Sequence, residues 1–254
     1  MHYSIKLLFL LLLCVQGLAQ EKSLTQIEFK GLKKSKPQYL KDLLSQRKDQ
    51  PYDTIKVKND LIVLLREPAV SHAFTSLDSL VDGGLRLNYH IEENKTLIPA
   101  VDLWQTVNCA FAYHLGITDY NFSGRGYTVG GFFRQNNFPG FGLIIENNNF
   151  MSARTELKLL AQRLETLEPI RVAQKSANFR YRFQSIELSL GRELNLKHKI
   201  VIGGGIVGER YLFDEGDDIA PIPKYFSTTK GLGKIGYTYD YIQPHYYHLS
   251  GWRS

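Results

Sequence analysis

The sequence predicts an exported chain in two parts: a small α+β domain, then an all-β antiparallel sheet with strands long enough to form a transmembrane barrel. Three observations carry this. The first twenty residues read as a leader; residues 23–94 mix period-two stretches with two helical stripes; and from Val107 onward period-two alternation takes over.

The leader is "MHYSIKLLFLLLLCVQGLAQ", with Lys6 ahead of the apolar run Leu7 to Val15 and small residues Gly17 and Ala19 where a signal peptidase would cut. It is too short to span a bilayer as a helix. Cys14 invites a lipoprotein reading, but Leu13 stands where a small residue is wanted. Removal of residues 1–20 leaves one cysteine, Cys109, so no intramolecular disulfide is available. The net charge is +6 and the pI about 9.1, yet basic residues are spread along the chain among 25 acidic ones. A nucleic-acid footprint needs clustering on one face, so no nucleic-acid partner is expected.

In the α+β part, "SLTQIEFKG" puts Ile27 and Phe29 on one face of a short strand. "SKPQ" reads as a helix start, with Ser35 as the cap, Pro37 in the first turn and Gln38 three residues after the cap. Tyr39, Leu40, Leu43 and Leu44 give that helix its apolar side, and Val57, Leu61, Leu64 and Leu65 give a second helix its stripe. Pro68 ends it. Strands are then predicted from Ala73 to Val81 and over "LRLNYHIEE", joined by the hairpin signal Asp82 to Gly84. The order is βααββ, enough for one sheet covered on one face by two helices.

After a linker at 95–106, "VNCAFAYHLGIT" places Val107, Cys109, Phe111, Tyr113, Leu115 and Ile117 on one face, and small or polar residues on the other. "GLGKIGYTYDYI" repeats the scheme with Ile235, Tyr237, Tyr239 and Tyr241. Four segments between them also alternate. In "FRYRFQSIELSL" the apolar phase changes from odd (Phe179, Tyr181, Phe183) to even (Ile186, Leu188, Leu190), which a bulge near Gln184 would explain. "RTELKLLAQRLETL" fits either a strand or a helix and is read as a strand. The glycines of "NFSGRGY", with Asn121, Phe122, Gly124 and Gly126, serve a tight turn, because strands flank them and no helix follows to receive a phosphate. Seven strands result. An odd antiparallel count cannot close, so either one strand lies near His245 to Trp252 or the barrel is partial, the front of a longer protein.

These residues resemble a known family. "IEFKGLKKSKPQYLKDLL", "NDLIVLLREPAVSHAF" and "LRLNYHIEE" look like a POTRA (polypeptide-transport-associated) domain, at 23–94. "GITDYNFSGRGYTVGG" is similar to the first barrel hairpin of POTRA-plus-barrel outer-membrane protein assembly factors, the BamA and TamA type. That family's Val-Arg-Gly-aromatic loop motif and aromatic-ended last strand do not occur here, which implies that the second half of the barrel (107–254 being the first seven or eight strands) is missing. The resemblance implies a cell outer-membrane location with the POTRA domain in the periplasm and the turn at Asn121 to Gly126 facing the exterior. It also implies unfolded outer-membrane protein clients, accessory lipoproteins and lipid as partners, and assembly or translocation without a chemical step.

Client strands would add to an exposed strand edge. Two edges are candidates: the second POTRA strand, with Phe74, Ser76 and Leu77, and the first barrel strand, Val107, Cys109, Phe111, Tyr113, Leu115 and Ile117. No enzyme motif competes. "GGGIVG" fits G-x-G-x-x-G, but "ERYLF" continues a strand after it. No G-x-S-x-G, H-E-x-x-H or paired-cysteine site is present, so no cofactor or metal is expected. His114 reads as filler on the small inner face, and "DEGDD" at Asp214 to Asp218 as a solvated loop without EF-hand spacing. The rival reading is a non-enzymatic anchor or binding protein, one POTRA module on a small barrel.

Overall fold

The structure, a computed structural model, describes residues 23–81, 83–106, 109–152, 154–219, 221–241, 243–244 and 249–250. The leader, Val107, Asp82 and most of the segment His245 to Trp252 lie outside these residues.

The N-terminal part runs β1 (Leu24–Lys30), α1 (Pro37–Leu43), α2 (Thr54–Arg66), β2 (Val70–Ser79) and β3 (Leu85–Glu93). Its sheet has the order β1-β3-β2, with β1 parallel and β2 antiparallel to β3. Leu24, Leu40, Leu64, Leu87 and Tyr89 are its fully buried apolar centre, as the alternation and both helical stripes require. Asp53 caps α2 by accepting from the Ile55 and Lys56 amides at 2.8 and 3.1 Å. Ser35 does not cap α1; the helix starts at Lys36 and Pro37 with no side-chain cap, and the Ser35 hydroxyl is used elsewhere. Asp60 is buried in the core but fully engaged, accepting from Ser45 N and Oγ, Gln46 N and Tyr89 Oη.

The second part is an eight-stranded antiparallel sheet, β4 (Leu97–Thr106), β5 (Cys109–Phe122), β6 (Tyr127–Gln135), β7 (Pro139–Asn147), β8 (Thr155–Val172), β9 (Lys175–Glu193), β10 (His198–Gly216) and β11 (Tyr225–Tyr239). Its strand order follows the sequence, and the sheet is open, with β4 and β11 as its edges. The linker expected at 95–106 is therefore wrong: it is strand β4, paired with β5 from Leu97↔Asp119 to Thr106↔Cys109. This is the strand missing from the sequence count. The alternative place for it, His245 to Trp252, lies mostly outside the described residues; of the segment around it, Gln243–Pro244 (β12) pairs with Leu249–Ser250 (β13). The ambiguous "RTELKLLAQRLETL" is strand, within β8.

Cross-strand register sorts the side chains onto two faces. One carries Val101, Leu115, Phe133, Leu143, Leu159, Leu188, Ile202 and Ile235 in consecutive strands, nearly all outward and solvent-exposed. The other carries Asp102, His114, Gly116, Arg134, Gln162, Ser185 and Lys234, the small and polar set. His114 Nδ1 lies 2.9 Å from Asp102 on that inner face.

No bulge occurs near Gln184. β8 and β9 stay in register from Thr155↔Arg192 to Val172↔Lys175. The phase change has another cause: toward the end of the sheet remote from the N-terminal domain, apolar residues switch faces. Phe179 packs there with Ala177, Ile219, Tyr211 and Phe213 on the inner side, while the outer side carries Arg180 and Arg182.

Candidate functional site

An antiparallel edge presents unpaired N–H and C=O groups that another strand can use. The edge strands here are β1 and β2 in the N-terminal sheet and β4 and β11 in the second. In the N-terminal sheet β2 has one neighbour, β3. Phe74 is half exposed and stacks on His90 at 4.5 Å, Ser76 Oγ meets His90 Nε2 at 2.9 Å, and Leu77 is 43% exposed opposite Leu87. These three residues do lie on an edge strand.

The second expected edge is displaced by one strand. Cys109, Phe111, Tyr113, Leu115 and Ile117 lie on β5, which pairs with β4 and, from Tyr113 onward, also with β6. The open edge on this side of the sheet is β4, with Leu97, Ile98, Val101 and Leu103 all exposed. Pro99 sits in this strand opposite Ile117. Proline lacks the N–H of an interior ladder and is tolerated at an edge, so its position agrees with β4 being the last strand of the sheet. It was also the residue that could have marked this segment as an edge strand rather than a linker.

The turn after β5 is not at the end remote from the domain. β4 leads away from the domain and β5 returns, so Asn121, Phe122, Gly124 and Gly126 are seated on the N-terminal domain. The Lys36 amide donates to Gly124 O at 2.7 Å. Asn121 Nδ2 donates to Ser35 Oγ at 3.0 Å, and Asn121 Oδ1 accepts from the Gly126 amide at 2.8 Å. Gly124 (φ +72°) and Gly126 (φ +69°) are both left-handed, and a Cβ would lie 2.0 Å from Lys34 O at the first and 2.2 Å from Tyr39 Oη at the second. Only glycine fits either place.

Charge ties the same junction. Lys34 Nζ lies 2.7 Å from Asp119 and donates to Thr96 Oγ1, while Thr96 Oγ1 donates to Asp119 at 2.8 Å. Glu93 accepts from the amides of Lys33, Lys34 and Ser35. Burial alone would raise Glu93, but the Ser35 hydroxyl and these amides hold its carboxyl below the usual range. A second contact lies across α2, where Arg66 donates to Leu196 O at 2.6 Å in the β9–β10 turn. Between the two contacts is a cavity of about 450 Å³ lined by Glu67, Glu193, Arg154 and Lys199 among others. Burial, opposed by the bond from Tyr39 Oη and aided by the Glu193 charge, pushes Glu67 up to about 7. Burial and the adjoining Glu67 push the Tyr39 hydroxyl up as well.

No cluster of three or more His, Cys, Asp or Glu residues suited to a metal ion is present among the described residues. The glycines of "GGGIVG" sit inside the continuous strand β10. No helix among the described residues is long and apolar enough to cross a membrane. The arrangement offers strand edges and a clamped junction for binding.

No protein-family model and no curated protein matches the sequence. Solved structures do match the fold. BamA from Haemophilus ducreyi lacking POTRA domains 1–3 superposes with a TM-score of 0.65 at 16% identity, over 90% of this chain and 46% of that one. CdiB from Escherichia coli gives 0.57 at 12%, over 87% and 42%, and CdiB from Acinetobacter baumannii 0.53 at 11%, over 89% and 44%. The chain thus resembles a BamA-type barrel in fold and spans less than half the length of each of these three structures.

Proposed function

We propose that this chain acts in assembly or translocation of outer-membrane proteins, with a periplasmic POTRA domain at 23–94 leading into a membrane sheet whose first strand, β4, pairs with a client strand. The observation that carries this reading is the open β4 edge, joined by three residues to a βααββ domain that has an open edge of its own at β2. The fold likeness to BamA and CdiB supports it.

Membrane contact follows from the outer face. On β9 the apolar side chains Ile186, Leu188 and Leu190 lie between Arg182 and Arg192 on one face. The intervening stretch, 183–191, spans about 23 Å at ~3.3 Å per residue and ~40° tilt, close to the ~25 Å band of outer-membrane barrels. The N-terminal domain is then periplasmic, and the two-residue β8–β9 turn and the eight-residue loop at 217–224 are external; the latter is the kind of longer connection that belongs on that side. Unfolded outer-membrane proteins are the proposed clients, with lipid and accessory lipoproteins as further partners. A closed eight-stranded anchor would need β4 beside β11, and in this sheet they are its opposite edges.

The test is site-specific photocrosslinking from the full chain in an outer membrane synthesising a labelled barrel client. A photoreactive residue at Val101 or Leu103 should capture the client, and one at Leu188 should not. Membrane-inserted chain that gives no client adduct from either β4 position would refute the reading.

A further inference from the structure

We infer that the outer-face rim remote from the N-terminal domain is a docking platform for net-anionic, phosphate-bearing lipid headgroups. This rests on the membrane reading above. Arg163, Arg180, Arg182 and Arg210 share that face, brought there by the pairs Glu165↔Arg182, Leu167↔Arg180 and Arg182↔Arg210.

Three of the four converge on Glu165, whose side chain is 1% exposed: Arg163 Nη2 at 3.3 Å, Arg182 Nε at 3.0 Å, and Arg180 Nε. Three guanidiniums carry about fifteen N–H donors, whereas one carboxylate offers about four acceptor positions, so most of the donors are not taken up by Glu165. The Arg163 Nε is buried without a hydrogen-bond partner. Arg182 and Arg210 stand directly across from each other, an arrangement of like charges that destabilises a sheet unless an anion lies over it. Four cations against one carboxylate leave the cluster at +3. Other carboxylates nearby do not cancel it: Glu209 is on the inner face, held by Lys230 and Tyr181, and Asp214 and Glu215 lie farther along β10.

The immediate neighbour of the platform fixes the kind of anion. Below Arg163 a shallow groove of about 980 Å³ runs down the apolar face, floored by Ala161, Gly204 and Gly208 and walled by Leu143, Ile186 and Ile206. An acyl chain fits such a groove while its phosphate meets the guanidiniums above. Guanidinium and phosphate match in bidentate geometry, and both strengthen where water is partly excluded. Phe138, stacked 4.1 Å under Arg180, and Tyr225, 6.0 Å from Arg210, add the aromatic border expected at an interface.

The full chain is inserted into phosphatidylcholine vesicles doped with either spin-labelled phosphatidic acid or spin-labelled phosphatidylcholine, and the motionally restricted fraction of each label is measured. The wild type should prefer phosphatidic acid by about threefold or more, a typical scale for several charge-assisted contacts. Arg182→Gln with Arg210→Gln should bring the ratio to about one, and Arg210→Gln alone, which leaves the Glu165 cluster intact, should lower it part of the way. Lys234→Gln, on the inner face, should leave the ratio unchanged. Millimolar inorganic phosphate should not displace the labelled lipid; displacement would make this a soluble-anion site and overturn the lipid assignment. Insertion with equal preference for both labels overturns this inference alone, whereas failure to insert overturns the membrane reading on which it rests.

Discussion

Asn121 joins the two parts of the molecule: its Nδ2 donates 3.0 Å to Ser35 Oγ in the domain, while its Oδ1 accepts from Gly126 in its own turn. The side chain is buried, so both bonds are made away from water. Asn121→Ala should therefore destabilise the junction by about 1–3 kcal/mol, the cost of leaving buried partners unsatisfied. Gly124→Ala should do more damage, since a Cβ would meet Lys34 O at 2.0 Å in a left-handed backbone. Limited proteolysis at residues 94–96 and the melting temperature of the domain report both.

The junction should respond to pH in two opposite ways. Glu67 is raised to about 7, so in the fold it holds a proton that the unfolded chain has already lost at about pH 4.5. Its contribution is full below that value and is lost as pH rises through about 7. Glu93 is depressed; its contribution is present above about pH 4.5 and is lost as pH falls through its lowered value. Melting temperatures between about pH 5 and 8 should fall with pH in the wild type and flatten in Glu67→Gln, while Glu93→Gln should matter most at neutral pH.

Asp60 holds the second helix to the loop before it through Ser45 and Gln46 and to β3 through Tyr89. Asp60→Ala leaves the buried Gln46 amide and the partly buried Ser45 amide without an acceptor and should cost about 2–5 kcal/mol, measured by denaturant unfolding of the full chain.

A Cβ on Gly116 would lie 3.5 Å from that of Ala100, a separation compatible with a disulfide. Ala100→Cys with Gly116→Cys, in a Cys109→Ser background, should therefore form a bond between β4 and β5 on mild oxidation, detected as a gel-mobility shift. If clients insert by swinging β4 away from β5, the bond should stop client assembly and reduction should restore it. If clients add only to the outer edge of β4, assembly should continue.

The outer face should be intolerant of charge at mid-band. Leu188→Arg should lower membrane stability by about 2–4 kcal/mol, whereas a charge at Ser189, on the inner face, should be tolerated. Folding into vesicles followed by denaturant titration compares the two.

Most of the fold was legible because each element obeys one simple period. The helical stripe buries Val57 and Leu64 fully and Leu61 and Leu65 in part, and the alternation buries Leu85, Leu87, Tyr89 and Ile91; it does not foretell Asn88, which is buried on the opposite face. β4 was not legible as a strand, because Pro99 interrupts it and its apolar residues appear on both faces. Losing one strand reversed the direction of every later one, and so put the turn at Asn121 at the wrong end. Ser35 looked like a cap because capping is a local rule, whereas its actual partners, Glu93 and Asn121, are distant in sequence. The phase change in β9 could not be told from a bulge, since both give the same letters; only the register separates them.

The cluster of Lys34, Thr96 and Asp119 has a mechanical consequence. Thr96 also accepts from the Tyr120 amide at 2.9 Å, so the base of β4 is riveted to both the domain and the base of β5. Among the described residues, the strand's other end at Thr106 is held by its ladder pair with Cys109, beyond a register shift after Trp104. If β4 peels away from its neighbour it must fray from that outer tip downward, like a zip opened from the top, and an incoming strand would be threaded toward the domain rather than away from it.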